Sequence, residues 1–294
     1  MWRASCILLS TLLALAIGGA RVAQAENLPA LDPEAEARRA RSQELAKEAW
    51  LHSQKGQYDE ALALLDRALE ITPKSATLWA AKGWSLFYSA RMEEALSHFE
   101  RAISFNPRLI RALNGRGMAL FALGRYEDSA KAFDRALRRA PKRETLWRLR
   151  GISLQHAGRV GKALASFERA LKLAPENAEN WKLKGISLFT LGRYKQAISA
   201  FDKALEIEPT LEDAWMSKAS CLVKLGRVEE ALRLYDTALR LNPLSAPILH
   251  NKGLTLEELG KKAEARRLFR KAVALRPEFL PAQESLERLE ARAD

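Results

Sequence analysis

Apolar residues recur in this chain in two alternating helical patterns. In residues 178–211, Trp181, Gly185 and Leu188 lie three or four residues apart. After Gly192 a second set follows, comprising Ala197, Phe201, Ala204 and Leu205. Each spacing places its residues on one face of an amphipathic helix. Pro209 ends the second helix because proline lacks the backbone N–H that a helix interior needs. The segment therefore predicts two helices joined at a glycine.

This pattern recurs every 34 residues without an insertion. The prolines that mark it are Pro73, Pro107, Pro141, Pro175, Pro209, Pro243 and Pro277. Alanine precedes each proline by five residues, and a large apolar residue precedes it by eight. Numbering each unit from 1 to 34, we expect small residues at positions 8, 20 and 27 to let the helices approach closely. The large residue at position 24 then fills the remaining space.

The pattern resembles the tetratricopeptide repeat, whose W-x2-L-G-x2-Y…A-x3-F…P signature has the same period. The resemblance covers 238 of the 294 residues. It implies an all-α, right-handed superhelical solenoid of helix–turn–helix repeats. The seven repeats are residues 42–75, 76–109, 110–143, 144–177, 178–211, 212–245 and 246–279.

Two charged rows accompany this period. The residue at position 7 is basic in six repeats: Lys82, Arg116, Arg150, Lys184, Lys218 and Lys252. We expect these side chains to follow one ridge with packed stems and solvated charges. Position 25 is acidic in six repeats: Asp66, Glu100, Asp134, Glu168, Asp202 and Asp236. We interpret this second row as a solvated face.

The two ends of the chain differ from the repeats. Residues 1–25 have Arg3 near the start, an apolar run at 6–17 and Ala23-Gln24-Ala25 at the end. This pattern predicts a signal peptide cleaved after Ala25, and hence export to the periplasm or cell envelope of a bacterium. An uncleaved N-terminal anchor is the alternative. No other apolar stretch is long enough to span a bilayer.

Residues 26–41 read as a linker and an extension of the first helix, because Asp32 is a suitable N-cap and Pro33 suits the first helical position. Residues 280–294 predict a C-terminal capping helix that docks through Leu286 and Leu289.

The sequence shows no pattern of residues that would support catalysis. The four histidines lie in four different repeats, without a metal-ligand spacing. The glycines follow the repeat and form no phosphate-binding motif. We expect Cys221 to be a small buried thiol. We therefore expect no enzymatic activity and no cofactor or metal.

The resemblance implies a concave groove lined by positions 2, 5, 9, 12 and 13 of each first helix. In the stretch GWSLFYSA, we expect Gly83, Leu86 and Ala90 to pack and the three aromatic residues to face the groove. The candidate partner-binding residues are Trp84, Phe87, Tyr88, Arg111, Asn114, Met118, Phe121, Arg148, Ile152, Gln155, Lys182, Ile186 and Phe189.

Packing between repeats is the alternative for these residues, and Trp84 and Tyr88 are the two that the repeat pattern does not require.

The resulting prediction is a non-catalytic scaffold or adaptor for protein–protein interaction that binds a partner segment in the groove, in the assembly of an envelope complex. Members of the family that bind the C-termini of chaperones carry asparagine at position 9 of the repeat. No repeat of this chain has asparagine there, so the sequence does not support that class of ligand.

Charge suggests a second surface. The chain carries a formal charge of +12, and residues 108–162 contain 14 basic and four acidic residues. The candidate basic patch comprises Arg135, Arg138, Arg139, Lys142, Arg143, Arg148 and Arg150. It predicts an acidic segment of a protein partner, or an anionic envelope polymer or lipid, as a ligand. Nucleic acid is disfavoured by the expected export and by the lack of a groove-reading motif. The sequence does not indicate an oligomeric state.

Overall fold

The computed structural model describes residues 32–291, which form fifteen consecutive α-helices without a strand in that range. The helices are α1 (Pro33–Gln54), α2 (Tyr58–Ile71), α3 (Ala76–Tyr88), α4 (Met92–Phe105), α5 (Ile110–Ala122), α6 (Tyr126–Leu137), α7 (Glu144–His156), α8 (Val160–Leu173), α9 (Ala178–Thr190), α10 (Tyr194–Ile207), α11 (Glu212–Lys224), α12 (Val228–Leu241), α13 (Ala246–Glu258), α14 (Lys262–Leu275) and α15 (Leu280–Glu290). This confirms the predicted all-α superhelix of helical repeats. The predicted signal peptide, residues 1–25, lies outside the described residues.

The turn between the two helices of a repeat needs a left-handed backbone at position 15. Glycine occupies it in six repeats, at Gly56, Gly124, Gly158, Gly192, Gly226 and Gly260, with φ between 72° and 76°. In the second repeat Ala90 takes this place with φ 63° and is exposed. The expectation that Ala90 packs in the core was therefore wrong, because it belongs to the turn and not to the helix.

Within a repeat, a glycine on the first helix faces an aromatic ring on the second. A Cβ added to Gly185 would lie 2.6 Å from the Phe201 ring, which is fully buried. The same pairing joins Gly83 to Phe99, Gly117 to Phe133, Gly151 to Phe167, and Gly253 to Phe269. The missing side chain thus sets how closely the two helices approach.

Neighbouring repeats are joined by a hydrogen bond from a tryptophan. The indole Nε1–H of Trp181 donates to the Pro175 carbonyl oxygen at 2.7 Å. Equivalent bonds join Trp79 to Pro73, Trp147 to Pro141 and Trp215 to Pro209, at 2.8 to 2.9 Å. In the capping helix α15, the Gln283 amide donates to the Pro277 carbonyl at 2.6 Å. This helix therefore contacts the last repeat as another first helix would.

The two charged rows also join neighbouring repeats. Each position-7 cation forms an ion pair with the position-25 carboxylate of the preceding repeat: Lys82–Asp66, Arg116–Glu100, Arg150–Asp134, Lys184–Glu168, Lys218–Asp202 and Lys252–Asp236. The cationic side chains are only 18% to 24% exposed. The stems of the basic row are therefore packed as expected, but their charges are paired with carboxylates and are not left to solvent alone. The acidic side chains are 43% to 53% exposed, in agreement with a solvated face. Pairs of this kind contribute about 0–1 kcal/mol each.

The curvature of the array places the first helices on its inner side. First helices of neighbouring repeats contact one another along most of the array, from α1 to α15. Within residues 32–291, no two second helices make a comparable set of contacts. Because the second helices spread apart while the first helices touch, the first helices line the concave face.

Both ends of the array carry the expected terminal features. The Asp32 carboxylate accepts a hydrogen bond from the Glu34 backbone N–H at 3.1 Å, and Pro33 begins α1. At the other end Leu289 is fully buried and Leu286 is partly buried against the same cluster. Both leucines dock as the sequence predicted.

Candidate functional site

The thirteen candidate groove residues all lie on the first helices of repeats two to five, namely α3, α5, α7 and α9. None of them is fully buried: Tyr88 and Arg111 are exposed, and the others are half-buried. The packing residues Gly83 and Leu86 between them are buried. Each of the thirteen residues therefore keeps some accessible surface, and Tyr88 and Arg111 are the exposed ones among them.

Trp84 is the centre of a group of aromatic rings. Its ring centroid lies 5.6 Å from that of Phe87 and 5.7 Å from that of Tyr88. The same indole meets the buried core residue Phe99 edge-on at 5.3 Å. Packing and groove lining, the two alternatives for these residues, are therefore combined in Trp84. Tyr88 is half exposed, at 50%.

Tyr58, in the second helix of repeat one, joins this group and was not expected from the sequence. Its ring stacks on that of Tyr88, with centroids 6.3 Å apart. We name Tyr58, Trp84, Phe87 and Tyr88 the aromatic wall. Other groove aromatics have similar partners: Tyr126 lies 5.2 Å from Phe121 and 5.0 Å from His156, and Tyr194 lies 5.5 Å from Phe189. The signal in the sequence is tyrosine at position 17 of repeats one, three and five.

Several polar atoms along the groove have no partner within the described chain. They are the indole nitrogen of Trp84 and the amide oxygens of Asn114 and Gln155, and all three atoms are buried. A buried polar atom without a partner costs about 1–3 kcal/mol. Atoms of this kind call for a partner outside the described chain, such as an ordered water or a ligand.

The three cations of the groove differ in their surroundings. Arg148 pairs with Glu144 at 3.3 Å, without the alignment of a hydrogen bond, and Lys182 pairs with Glu179 at 2.7 Å. Arg111 has no ion pair within residues 32–291. Arg111 as a whole residue is exposed, but the surrounding groove walls partly desolvate its guanidinium and lower its pKa, an effect that Tyr88 partly opposes.

The predicted basic patch separates into two parts. Arg148 lies in the groove, and Arg150 bonds Asp134 and Ser166, each at 2.6 Å. The remaining five residues, Arg135, Arg138, Arg139, Lys142 and Arg143, lie at the end of α6 and in the loop before α7. None of these five has an ion pair to another residue of the described range, and all but Arg135 are exposed. We name them the basic edge.

Possible metal ligands and the Cys221 thiol are the remaining chemical groups to consider in the described part of the chain. Residues 32–291 contain no group of three histidine, cysteine or acidic side chains that could hold a metal ion. Cys221 is buried, as predicted, and burial raises the pKa of its thiol to about 12. Over the same residues, every helix is too short or too polar for a bilayer crossing.

Comparison with known families identifies the repeat. Tetratricopeptide repeat profiles match residues 46–110, 80–144 and 148–212, and further profiles with the same description match residues 188–252 and 246–279. The chain belongs to the tetratricopeptide repeat family. This family assignment covers all seven repeats and agrees with the predicted resemblance. No functionally characterised protein gives a significant sequence match.

Solved structures share the fold at low sequence identity. A tetratricopeptide repeat protein from Parabacteroides merdae ATCC 43184 superposes with a TM-score of 0.68 and 18% identity, over 85% of this chain and 99% of that one. Cut9, in a hetero-tetramer with Hcn1 from the APC/C, gives 0.63 and 17% identity over 82% of this chain and 48% of that chain. MamA from Desulfovibrio magneticus RS-1 gives 0.54 and 19% identity over 62% and 99%. These likenesses concern the fold.

Proposed function

We propose that this protein is a non-catalytic scaffold that holds a segment of a protein partner in the concave groove of repeats two to five. The observation that carries the proposal is the aromatic wall. Large apolar side chains that stay partly exposed on a concave face are the usual anchors of a bound peptide. Tetratricopeptide arrays expose a long concave surface of this kind.

The energetics of the groove agree with ligand binding. Tyr88 and Trp84 keep apolar surface accessible in the free protein, although each lies beside residues that are fully buried. Covering such surface contributes about 25 cal/mol per Å².

The expected signal peptide extends the proposal to the cell compartment. If residues 1–25 direct export, the partner is a component of the periplasm or cell envelope, and the scaffold serves the assembly of an envelope complex. N-terminal sequencing of the protein purified from the envelope fraction tests this part. A chain that begins at Glu26 supports cleavage and export, and a chain that retains Met1 in this fraction indicates the uncleaved anchor. Absence of the protein from the envelope fraction overturns this part of the proposal.

Site-specific photocrosslinking tests the groove directly. A photoreactive phenylalanine at Tyr88 should capture a discrete partner in living cells, whereas the same residue at Ser199, exposed on the second helix α10, should not. Capture by the photoreactive residue at the position of Tyr88 should be lost when Trp84 is also replaced by alanine. Equal capture at both positions, or capture that persists without Trp84, would contradict the proposal.

A double variant provides the complementary test. Trp84→Ala with Tyr88→Ala should abolish partner capture while the helical content is retained. The control, Leu244→Ala with Leu275→Ala, removes exposed apolar side chains from the loop before α13 and from the end of α14, away from repeats two to five. Partner capture should survive in this control. Loss in both variants would indicate a general effect of surface change.

A second candidate function rests on the basic edge. Five neighbouring cations without ion pairs favour an anionic polymer, lipid or nucleic acid, and their attraction is screened by salt. Replacing Arg138, Arg139 and Lys142 by glutamine should reduce binding to anionic vesicles, and binding should fall steeply with ionic strength. A gel shift at physiological salt separates nucleic acid from the other two. Binding that does not weaken as the ionic strength rises would exclude this function.

A further inference from the structure

Arg111 carries the feature of the groove that the scaffold proposal leaves unexplained. It stands at position 2 of α5, and Tyr88 of the aromatic wall is the ionisable group that acts on it electrostatically. Its positive charge is not compensated by any carboxylate paired with it in the described chain.

The comparison with the other groove cations is informative. Arg148 and Lys182 both have a carboxylate on their own helix, Glu144 for the former and Glu179 for the latter. Helix α5 starts with Ile110 and contains no acidic residue, so it offers Arg111 no such partner. Among these three cations of the groove, Arg111 is therefore the one whose charge is left for a ligand.

Asn114 lies three residues after Arg111, about one turn further along the same face of α5. Its amide oxygen is buried without a donor. Because this oxygen is buried, it offers no contact to a ligand, whereas the exposed Arg111 offers hydrogen-bond donors with a positive charge. The complementary group of a peptide is an aspartate or glutamate side chain.

We infer that the segment bound in the groove is an acidic peptide, in which an aspartate or glutamate side chain pairs with Arg111 while neighbouring apolar side chains cover the aromatic wall. The inference rests on the proposed function, because it requires a peptide in this groove. The carboxylate replaces the water that the guanidinium loses within the groove walls. The apolar contacts hold the segment in place beside it. An overall basic chain adds a favourable long-range attraction.

Because Arg111 is partly desolvated, its pairing should discriminate between a charged carboxylate and a neutral side chain of the peptide. The lowered pKa shows that the groove walls disfavour an uncompensated charge at this place. A carboxylate of the ligand compensates the positive charge of Arg111, whereas a neutral glutamine in its place does not. Charge-assisted hydrogen bonds to arginine are roughly twice as strong as neutral ones.

The test uses a displayed library of random 12-residue peptides, selected on the full chain. Peptides that bind should combine apolar residues with an aspartate or glutamate. The best of them is then synthesised with its acidic residue and with glutamine instead, and both affinities are measured by fluorescence anisotropy. The acidic peptide should bind about tenfold more tightly at low salt.

Two variants show whether Arg111 causes this preference. Arg111→Gln should make the two peptides bind equally well. Arg108→Gln is the matched control, since it removes the same charge from an exposed residue of the loop before α5 and should keep the preference. Circular dichroism should show both variants folded.

The outcomes separate this inference from the scaffold proposal. Selected peptides that lose binding with Trp84→Ala and Tyr88→Ala, yet bind equally with glutamate or glutamine, overturn the role of Arg111 and leave the groove proposal standing. An acidic preference that persists in Arg111→Gln has the same consequence. Selected peptides that still bind the Trp84→Ala and Tyr88→Ala variant overturn both.

Discussion

The indole N–H of Trp181 reaches back across the boundary between two repeats and donates to the carbonyl of Pro175, 2.7 Å away. The proline that ends one repeat is thereby tied to the tryptophan that begins the next. Trp84 differs from the four tryptophans of this kind, because its buried indole nitrogen has no acceptor.

This difference predicts losses of stability of different size for the same substitution. Trp181→Phe should lower the free energy of unfolding by about 1–2 kcal/mol, because the hydrogen bond to Pro175 is lost. Trp84→Phe should cost less than about 1 kcal/mol, since it also removes an unsatisfied buried donor. Urea unfolding followed by circular dichroism measures both. A larger loss in Trp84→Phe than in Trp181→Phe would contradict this account.

Ala90 should be replaceable by glycine with a gain in stability. It is the one non-glycine residue with positive φ in residues 32–291, and a side chain in this conformation costs about 1–2 kcal/mol. Ala90→Gly should therefore gain about 0.5–1 kcal/mol after the greater flexibility of the unfolded chain is subtracted. Ala157→Gly is the control, because Ala157 has φ −76° and should lose stability on the same change. Thermal melts compare the two.

Gly185 and Gly161 should respond oppositely to alanine. A Cβ at Gly185 would meet the buried Phe201 ring at 2.6 Å, so Gly185→Ala should cost about 1–3 kcal/mol. Gly161 lies in α8 with no atom within 4 Å of an added Cβ, so Gly161→Ala should gain about 0.5–1 kcal/mol through helix propensity. Urea midpoints of the two variants check the prediction. A tolerated Gly185→Ala would show that the ring can move aside.

His250 should make the C-terminal cap sensitive to acid. Its ring is buried between α13 and α15, where Nε2 lies 3.1 Å from the Ser285 hydroxyl. Burial, with a smaller contribution from the nearby Arg288, lowers its pKa below the unfolded value of about 6.5. The unfolded chain therefore binds the proton more readily. Stability is present above pH about 6.5 and falls as the pH drops through the unfolded value towards the folded one.

The measurement is the melting temperature between pH 7.5 and pH 5.5, where other groups also contribute. His250→Gln should reduce the loss of stability over this interval, because glutamine does not titrate. Ser285→Ala should leave the pH dependence in place, because His250 remains buried in that variant. If the pH dependence of stability is unchanged in His250→Gln, His250 is not the cause of the acid sensitivity.

The period of the sequence was sufficient to predict most of the fold. Glycine and proline carry backbone information in themselves, so Gly192 and Pro209 placed a turn and a helix end without knowledge of neighbours. The cap at Asp32 and the docking of Leu289 were also predicted, because both depend on local chemistry and helical spacing. Ala90 was misassigned because alanine is compatible with a helix, and the constraint that places it in a turn comes from the repeat.

Pairing between side chains was not readable from the sequence. Lys218 and Asp202 are 16 residues apart, and each by itself looks like a solvated charge, yet stacking of the repeats brings Nζ to within 2.5 Å of Oδ1. Tyr58 joined the aromatic wall for the same reason, because its contact with Tyr88 crosses a repeat boundary.

The sequence by itself determined the family, the number of repeats and which face of each first helix packs, because these follow from a strict 34-residue period. The tertiary structure decided which polar groups compensate one another. Within the described chain it paired Arg148 and Lys182 with carboxylates, left Arg111 without an ion pair and the Asn114 amide oxygen without a donor, and separated the basic edge from the groove. The physical reason is that a charge or hydrogen-bonding group is satisfied by its neighbours in space, and those neighbours are set by the curvature and stacking of the repeats.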